Sequence, residues 1–379
     1  MIHSNSEGDI YIEEMPLLLV HLREEEKGAD ARLSEVLSYA LDGYAYETAT
    51  EISAFEDYVN RWRRLEKTQN RKNPVQGRIL FAVPLGTSGI NLELYCLIRF
   101  LREHPDFLNG FVGGLLVDSE NDLYSKSAAK DLVFAANCAG CAFVGRPLVE
   151  GTRTLSNYTI VSNNLGTDLM GAYRESAAGL VKEVLGTDCV RKKCPKVLVL
   201  HASSHKTSNT YAIWNRVKEQ LPEMEIREIG LRNGTLSDCA GCPYKMCLHF
   251  GEQGSCFYGG VMVEDVYPAV READAIVMLC PNYNDALSAN LTAFINRLTS
   301  LFRTTRFYDK ALFAVVVSGY SGSDIVAEQL IAALNMNKTF YLPGHFAMLE
   351  TANHPGEAMK LPGIEERMRQ YAKRIQNNL

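Results

Sequence analysis

Four short runs in the second half of the chain constrain the fold more than any other feature: Lys196–His201, Glu225–Ile229, Ala275–Leu279 and Leu312–Val317. They are rich in β-branched and apolar residues, and helical patterns such as Tyr211–Leu221 and Leu291–Phe302 separate them. Strands joined through helices predict a parallel sheet covered on both faces. In such sheets ligands sit beyond the carboxyl ends of the strands. The loops that matter are therefore 202–210, 280–290 and 318–324.

The chain has 379 residues, which at roughly 150 per domain predicts two domains or one large one with additions. The first seventy or so residues read as mostly helical. Phe55, Tyr58, Val59, Trp62 and Leu65 recur at three- and four-residue steps and make one apolar helical face. The polar stretch Glu66–Pro74 reads as a linker. Beyond it, Arg78–Val83 is an apolar run leading into the loop Pro84–Gly89, much as Lys196–His201 leads into its own loop. Ile79 aligns with Val197 and Asn91 with Asn209 at an offset of 118, while Asn121, Asp122 and Ser125 match Asn284, Asp285 and Ser288 at an offset of 163. We read these echoes as an internal duplication of an α/β unit, with chance agreement as the alternative. The offsets differ by 163 − 118 = 45 residues, which places an insertion in the second copy.

Lysine plus arginine number 39 against 45 acids, for a formal net charge of −6. Without a basic face, sequence-independent nucleic-acid binding is not expected. No apolar stretch reaches the roughly 18 residues of a membrane helix, and the start MIHSNSEGDIYIEEMP lacks a secretory pattern. The expectation is a cytoplasmic protein without a membrane or nucleic-acid partner. Ten cysteines in such a setting do not predict a disulfide framework.

The loop Ala202–Thr210 places five hydroxyl side chains before a helix. Free backbone N–H groups at a helix start, beside serine and threonine hydroxyls, suit a phosphate. A simple helix cap would explain one or two of those hydroxyls instead. The loop has neither GxxxxGK[ST] nor GxGxxG, so neither a nucleoside triphosphate nor a dinucleotide loop is indicated. In the second loop, Cys280–Ser288, proline and two asparagines enforce a turn, and Tyr283 offers a flat face for stacking. The third, Ser318–Ser323, carries glycines that permit close backbone approach. Together these loops suit a phosphorylated, flat, aromatic ligand such as flavin mononucleotide, FMN. A Cys-x5-Arg phosphatase loop is not expected: Arg102 does stand six positions after Cys96, but within the helical pattern that begins near Asn91 rather than on a loop.

On these residues the second half resembles the flavodoxin-like NAD(P)H-dependent FMN reductases, a group that includes iron–sulfur flavoproteins. The resemblance rests on Ser203 with Ser208-Asn209-Thr210, Asp238-Cys-Ala-Gly-Cys242, Pro281-Asn-Tyr283 with Ser288, and the helix Leu291–Arg297, and it covers about residues 194–350. It implies an α/β fold, a flavodoxin-like doubly wound parallel sheet, in two units of which the first is degenerate. It also implies FMN phosphate at Ser203, His205, Ser208, Asn209 and Thr210, where the family usually has glycine at the place of Ala202 and often arginine at that of His205. The isoalloxazine ring would lie against Pro281, Asn282, Tyr283, Asn284 and Ser288, with Ser318 and Gly319. The implied organisation is a helical segment over 1–74, a flavin-free unit over 75–190, and an FMN-binding unit over 191–379 with a cysteine-rich insertion at 231–260. The implied activity is hydride transfer from NAD(P)H to bound FMN and on to an unidentified acceptor, in a homo-oligomer. Flavin carries that chemistry, so no catalytic acid or base is nominated. An electron carrier without nicotinamide activity and a flavin-free scaffold are the alternatives.

Cys239, Cys242, Cys247 and Cys256 fall within eighteen residues. Four thiolates there suit a [4Fe–4S] cluster, as in the iron–sulfur flavoproteins, or tetrahedral zinc with His249 as a substitute ligand. The third reading is a metal-free loop with a cysteine pair near the flavin. Cys138-Ala-Gly-Cys141 echoes the first pair but sits in an apolar run, which points to buried structural cysteines.

Overall fold

In a computed structural model the described residues are 15–23, 27–68, 76–188, 192–203 and 207–379. They form two five-stranded sheets. By internal contacts the chain divides into two units, one of residues 1–97, 110–125 and 149–186, the other of residues 98–109, 126–148 and 187–379.

The first sheet contains β1 (Leu17–His21), β2 (Tyr46–Ala49), β3 (Gly77–Leu85), β4 (Phe111–Ser119) and β5 (Ala142–Gly151), in the order β2-β1-β3-β4-β5. Between them run α1 (Lys27–Ala40), α2 (Ile52–Thr68), α3 (Leu92–Glu103) and α4 (Ser125–Cys138), followed by α5 (Thr159–Leu165) and α6 (Leu169–Gly186). Strands β3 and β4 are buried along almost their whole length, as their largely apolar sequences require. On α2 the face of Phe55, Tyr58, Val59 and Trp62 is buried, whereas Leu65 is exposed.

The second sheet contains β6 (Lys196–His201), β7 (Glu225–Gly230), β8 (Ala275–Pro281), β9 (Ala311–Ser318) and β10 (Ala347–Thr351), in the order β10-β9-β8-β6-β7. Every neighbouring pair in it is parallel. Its helices are α7 (Asn209–Lys218), α8 (Tyr244–Glu252), α9 (Tyr267–Glu272), α10 (Ala289–Leu301), α11 (Ser323–Leu330) and α12 (Ile364–Asn377). One face of the sheet packs Val199, Val277, Phe313 and Val315 against Trp214 of α7 and Tyr371 of α12. The Tyr371 hydroxyl donates to the carbonyls of Ala314 and Phe346, 2.8 and 3.2 Å away, so its burial leaves no polar orphan. Numbered within each unit, both sheets follow the strand order 2-1-3-4-5, the flavodoxin-like arrangement. The fold class and its doubling are thus as expected.

The details of the duplication differ. The stretch expected to be helical carries β1 and β2, which pair in parallel with each other, and β1 pairs in turn with β3. The run Leu-Leu-Leu-Val-His is too short for periodicity to separate a buried strand from a buried helix. The first sheet therefore starts at residue 17, and the structural counterpart of β6 is β1. The 118-residue offset instead pairs β6 with β3, the third strand of its own sheet, and the 163-residue offset pairs the loop after β8 with the loop after β4. One apolar strand followed by a polar loop and a helix looks much like another when only a handful of positions match. The real length difference lies in the connection between second and third strands: 44 residues from 231 to 274, against 27 from 50 to 76, an excess of 17.

Candidate functional site

The loops after β6, β8 and β9 meet at the carboxyl edge of the second sheet, around the switch point between β6 and β8. Ser208 is the N-cap of α7: its backbone is extended and its Oγ accepts the Tyr211 N–H at 3.2 Å. The hydroxyls of Ser208 and Thr210 lie 2.7 Å apart. Ser203 Oγ is buried without a hydrogen-bond partner among the described residues. Asn209 is committed elsewhere, since its Nδ2 donates to the carbonyls of Ala352 and His354 at 3.3 and 2.9 Å. His205 lies outside the described residues.

After β8, Tyr283 and Ala286 exchange backbone hydrogen bonds across Asn284 and Asp285. Both intervening residues have positive φ, 54° and 57°, which makes a two-residue turn of the primed type that asparagine and aspartate tolerate. This turn holds Tyr283 at the rim, 53% exposed. Asn282 points the other way. Its Nδ2 donates to Asp285 Oδ1, Ser318 Oγ and the Ser321 carbonyl at 3.0–3.2 Å, clamping the second loop to the third. Its Oδ1 is buried and accepts no hydrogen bond among the described residues. Ser318 is fully buried and also receives the Ser323 hydroxyl at 2.8 Å. The clamp needs glycine at 322: φ is +90°, and a Cβ there would lie 2.3 Å from Asp285 Oδ1. Gly319 likewise faces Asn353, whose Nδ2 donates to the Tyr320 hydroxyl at 3.0 Å. Ser288 stands at the N-cap of α10, yet its Oγ makes no cap bond and is buried without a partner. Pro281 ends β8, with Cys280 fully buried behind it.

The edge is therefore a preorganised surface with three polar atoms left over, on Ser203, Asn282 and Ser288. Native proteins rarely leave buried polar atoms unpaired, because each costs about 1–3 kcal/mol. Those atoms fit a ligand that brings its own donors and acceptors, and the hydroxyl-bearing start of α7 fits a phosphate. Sequence reading misses the parts played by Asp285, Gln329 and Asn353, which fix the loops rather than offer chemistry. Gln329 does so by accepting the Leu287 N–H and donating to the Asp285 carbonyl, each at 3.0 Å.

The cysteine-rich segment follows α10 along its length. Asn290 donates to the Leu231 carbonyl, Asn296 to Asp238, and Arg297 to the Gly259 carbonyl at 2.7 Å, while Ser300 donates to Ser255. Cys239 is exposed and Cys242, Cys247 and Cys256 are half-buried, all as free thiols. Slight desolvation and then the thiols of Cys242, Cys239 and Cys256 raise the Tyr258 hydroxyl above its usual range, so these groups are neighbours. Still, among the described residues no three His, Cys, Asp or Glu side chains form a group that would hold a metal ion. Cys239 and Cys242 lie on a stretch tied to α10 through Asp238, Cys247 on α8 and Cys256 beyond it. In the other pair, burial pushes the Cys138 thiol up to about 11 and the buried Cys141 higher still, as inert structural cysteines require.

The first unit presents a different edge. After β1 only Leu22 and Arg23 precede residues outside the description. At the carboxyl end of β4, Asp118 is fully buried and receives Arg32 Nη2 at 2.7 Å and Nε at 2.9 Å, and Arg32 also donates to the Ser119 carbonyl at 3.1 Å. Burial raises the Asp118 carboxyl and the Arg32 guanidinium opposes that rise. Among the described residues, no helix is long and apolar enough to cross a membrane.

No curated protein matches the chain. Among solved structures, the similar ones include an NAD(P)H:quinone oxidoreductase from Methanothermobacter marburgensis, at 15% identity over 48% of this chain and 96% of that one, TM-score 0.37. They also include an azoreductase from Bacillus anthracis, at 18% identity over 48% and 99%, TM-score 0.35. Residues 195–354, the stretch that contributes every loop of the site, match the family of NADPH-dependent FMN reductases.

Proposed function

We propose that the chain is a flavin oxidoreductase that binds FMN at the carboxyl edge of the second sheet and is reduced by NADPH or NADH. The observation that carries this reading is the trio of unpaired buried atoms on Ser203, Asn282 and Ser288, within the segment that matches the FMN reductases. Bound flavin would supply hydride acceptance and onward electron delivery. Ser203, Ser208, Thr210 and the first N–H groups of α7 would hold its phosphate. Asn282 would present its free Oδ1 to a ring N–H, Tyr283 would cover a ring face from the rim, and Ser288 would offer its hydroxyl to a ring heteroatom. The clamp of Asn282 to Ser318 and Ser321 would fix these groups before the ligand arrives, which lowers the ordering cost of binding.

The test is spectroscopic. Protein incubated with FMN and gel-filtered should retain the flavin bands, and NADPH or NADH added without air should bleach them rapidly. A colourless protein after that treatment defeats the flavin reading. Retained flavin that neither nucleotide bleaches would make the chain an electron carrier instead.

A further inference from the structure

A second candidate ligand site lies at the opposite end of the same sheet. The segment after α10 connects its last turn to the start of β9, so it belongs to the amino-terminal edge of the strands. Seven residues of β9, Ala311 to Val317, separate it from Ser318, roughly 23 Å at 3.3 Å per residue. Four cations belong to this end, all in the second unit: Arg303 and Arg306 just after α10, Lys338 in the connection before β10, and Arg146 next to Gly145, where a Cβ would lie 2.2 Å from the Thr339 carbonyl. Lys338 is only 9% exposed, and its Nζ has a single hydrogen bond, to Asn337 Oδ1 at 2.9 Å. It stands 5.3 Å from the Phe302 ring centre, over which Arg306 also sits at 4.3 Å. Arg303 is over the exposed Tyr244 ring at 4.8 Å, and its Nε is buried with no partner.

None of the four is in an ion pair among the described residues. The charged groups that act on the buried Lys338 are Arg303 and Arg146, and after burial both push its ammonium further below the usual lysine range. Arg306 is partly satisfied by the Phe302 carbonyl at the end of α10, and helix ends offer only about half a negative charge. In a chain of net charge −6, three or four adjacent cations with no carboxylate are an unbalanced arrangement. Buried charge is ordinarily paired. An anion is the missing counterpart.

We infer that Lys338, Arg303 and Arg146 form a binding site for a phosphate group, either free phosphate or the phosphate of a nucleotide whose base can lie on Tyr244. Two arginines beside a lysine suit a tetrahedral dianion, since forked guanidinium donors match its oxygens. The site is separate from the flavin loops and does not depend on them.

Inorganic phosphate, titrated into the full chain at ionic strength held constant with chloride, should raise the thermal midpoint. About 5 °C is expected once phosphate exceeds its dissociation constant about a hundredfold. K338M should abolish that shift and raise the midpoint measured without phosphate, because an unneutralised buried charge is gone. R146Q alters an exposed side chain, cannot unfold the chain, and should weaken phosphate about tenfold. AMP binding more tightly than phosphate would assign the site to a nucleotide, and equal binding would assign it to phosphate alone. A wild-type midpoint that phosphate moves no more than chloride does would overturn the proposal. So would a phosphate shift that survives both K338M and R146Q, since the anion would then sit elsewhere.

Discussion

At Ser208 a structural role and a proposed ligand role occupy one side chain. Its Oγ caps α7 by accepting the Tyr211 N–H and shares a hydrogen bond with the Thr210 hydroxyl. Aspartate caps a helix as well as serine does. Ser208→Asp should therefore leave the unfolding free energy within about 0.5 kcal/mol, yet place a carboxylate where the phosphate is proposed to lie. Like charges in a poorly solvated site cost several kcal/mol, so FMN affinity should fall by at least about a hundredfold in a flavin fluorescence titration. Ser288 makes the opposite prediction. Its buried Oγ has no partner, so Ser288→Ala should hold or raise the thermal midpoint of the flavin-free protein while weakening FMN roughly tenfold. A drop in the flavin-free midpoint would show that the hydroxyl is serving the fold. Asn209 marks what residue-level reading cannot reach. It sits in the hydroxyl-rich loop and looks like a ligand group, but its amide is taken by carbonyls 143 and 145 positions away. Nothing local in the sequence encodes those partners.

At the scale of elements, α7 is tied to β7 through one carboxylate. Glu228 accepts from Tyr211 at 2.9 Å, Trp214 at 3.1 Å and Lys218 at 2.7 Å, three residues of one helix. Burial pushes this carboxyl up, but the bonds from Lys218, Tyr211 and Trp214 outweigh it and hold it below the usual value. A carboxyl depressed in the folded state adds stability above its unfolded pKa, about 4.3, and loses it as pH falls through the folded value. Glu228→Gln should thus cost about 1–2 kcal/mol in urea unfolding at pH 7, with the gap from wild type closing below about pH 4. A gap independent of pH would mean the loss is packing rather than charge. The four strands read from sequence lie within two residues of those observed; β6, β8 and β9 are nearly continuous buried runs in a parallel sheet, whereas the edge strand β7 is half-exposed along its length. The strands missed are β1, β2, β4, β5 and β10; of these β1, β2 and β10 are only four or five residues long, and β2 and β10 are edge strands whose half-exposed pattern gives little signal. The cysteine segment was legible as an excursion between strands, though not in its true excess length or in its course along α10.

Across the whole molecule, two sheets of identical strand order carry unlike edges. Where the second unit offers hydroxyls and unpaired polar atoms, the first closes its edge at the end of β4 with Arg32 on the buried Asp118. FMN titrated into the full chain should accordingly saturate at one equivalent, read by absorbance after gel filtration. A second equivalent would show that the first unit also binds flavin. The shared strand order has another consequence, in time rather than in space. Val197 of β6 pairs with Ala275 of β8, seventy-eight positions later, and Leu18 of β1 pairs with Ile79 of β3. Neither sheet has a hairpin to start from, so loop closure must be met in full before any strand contact repays it. Such a chain should refold slowly and expose unpaired strand edges while it does so. Its yield on synthesis would then be set by the competition between crossover and aggregation, and would improve at low temperature and low concentration.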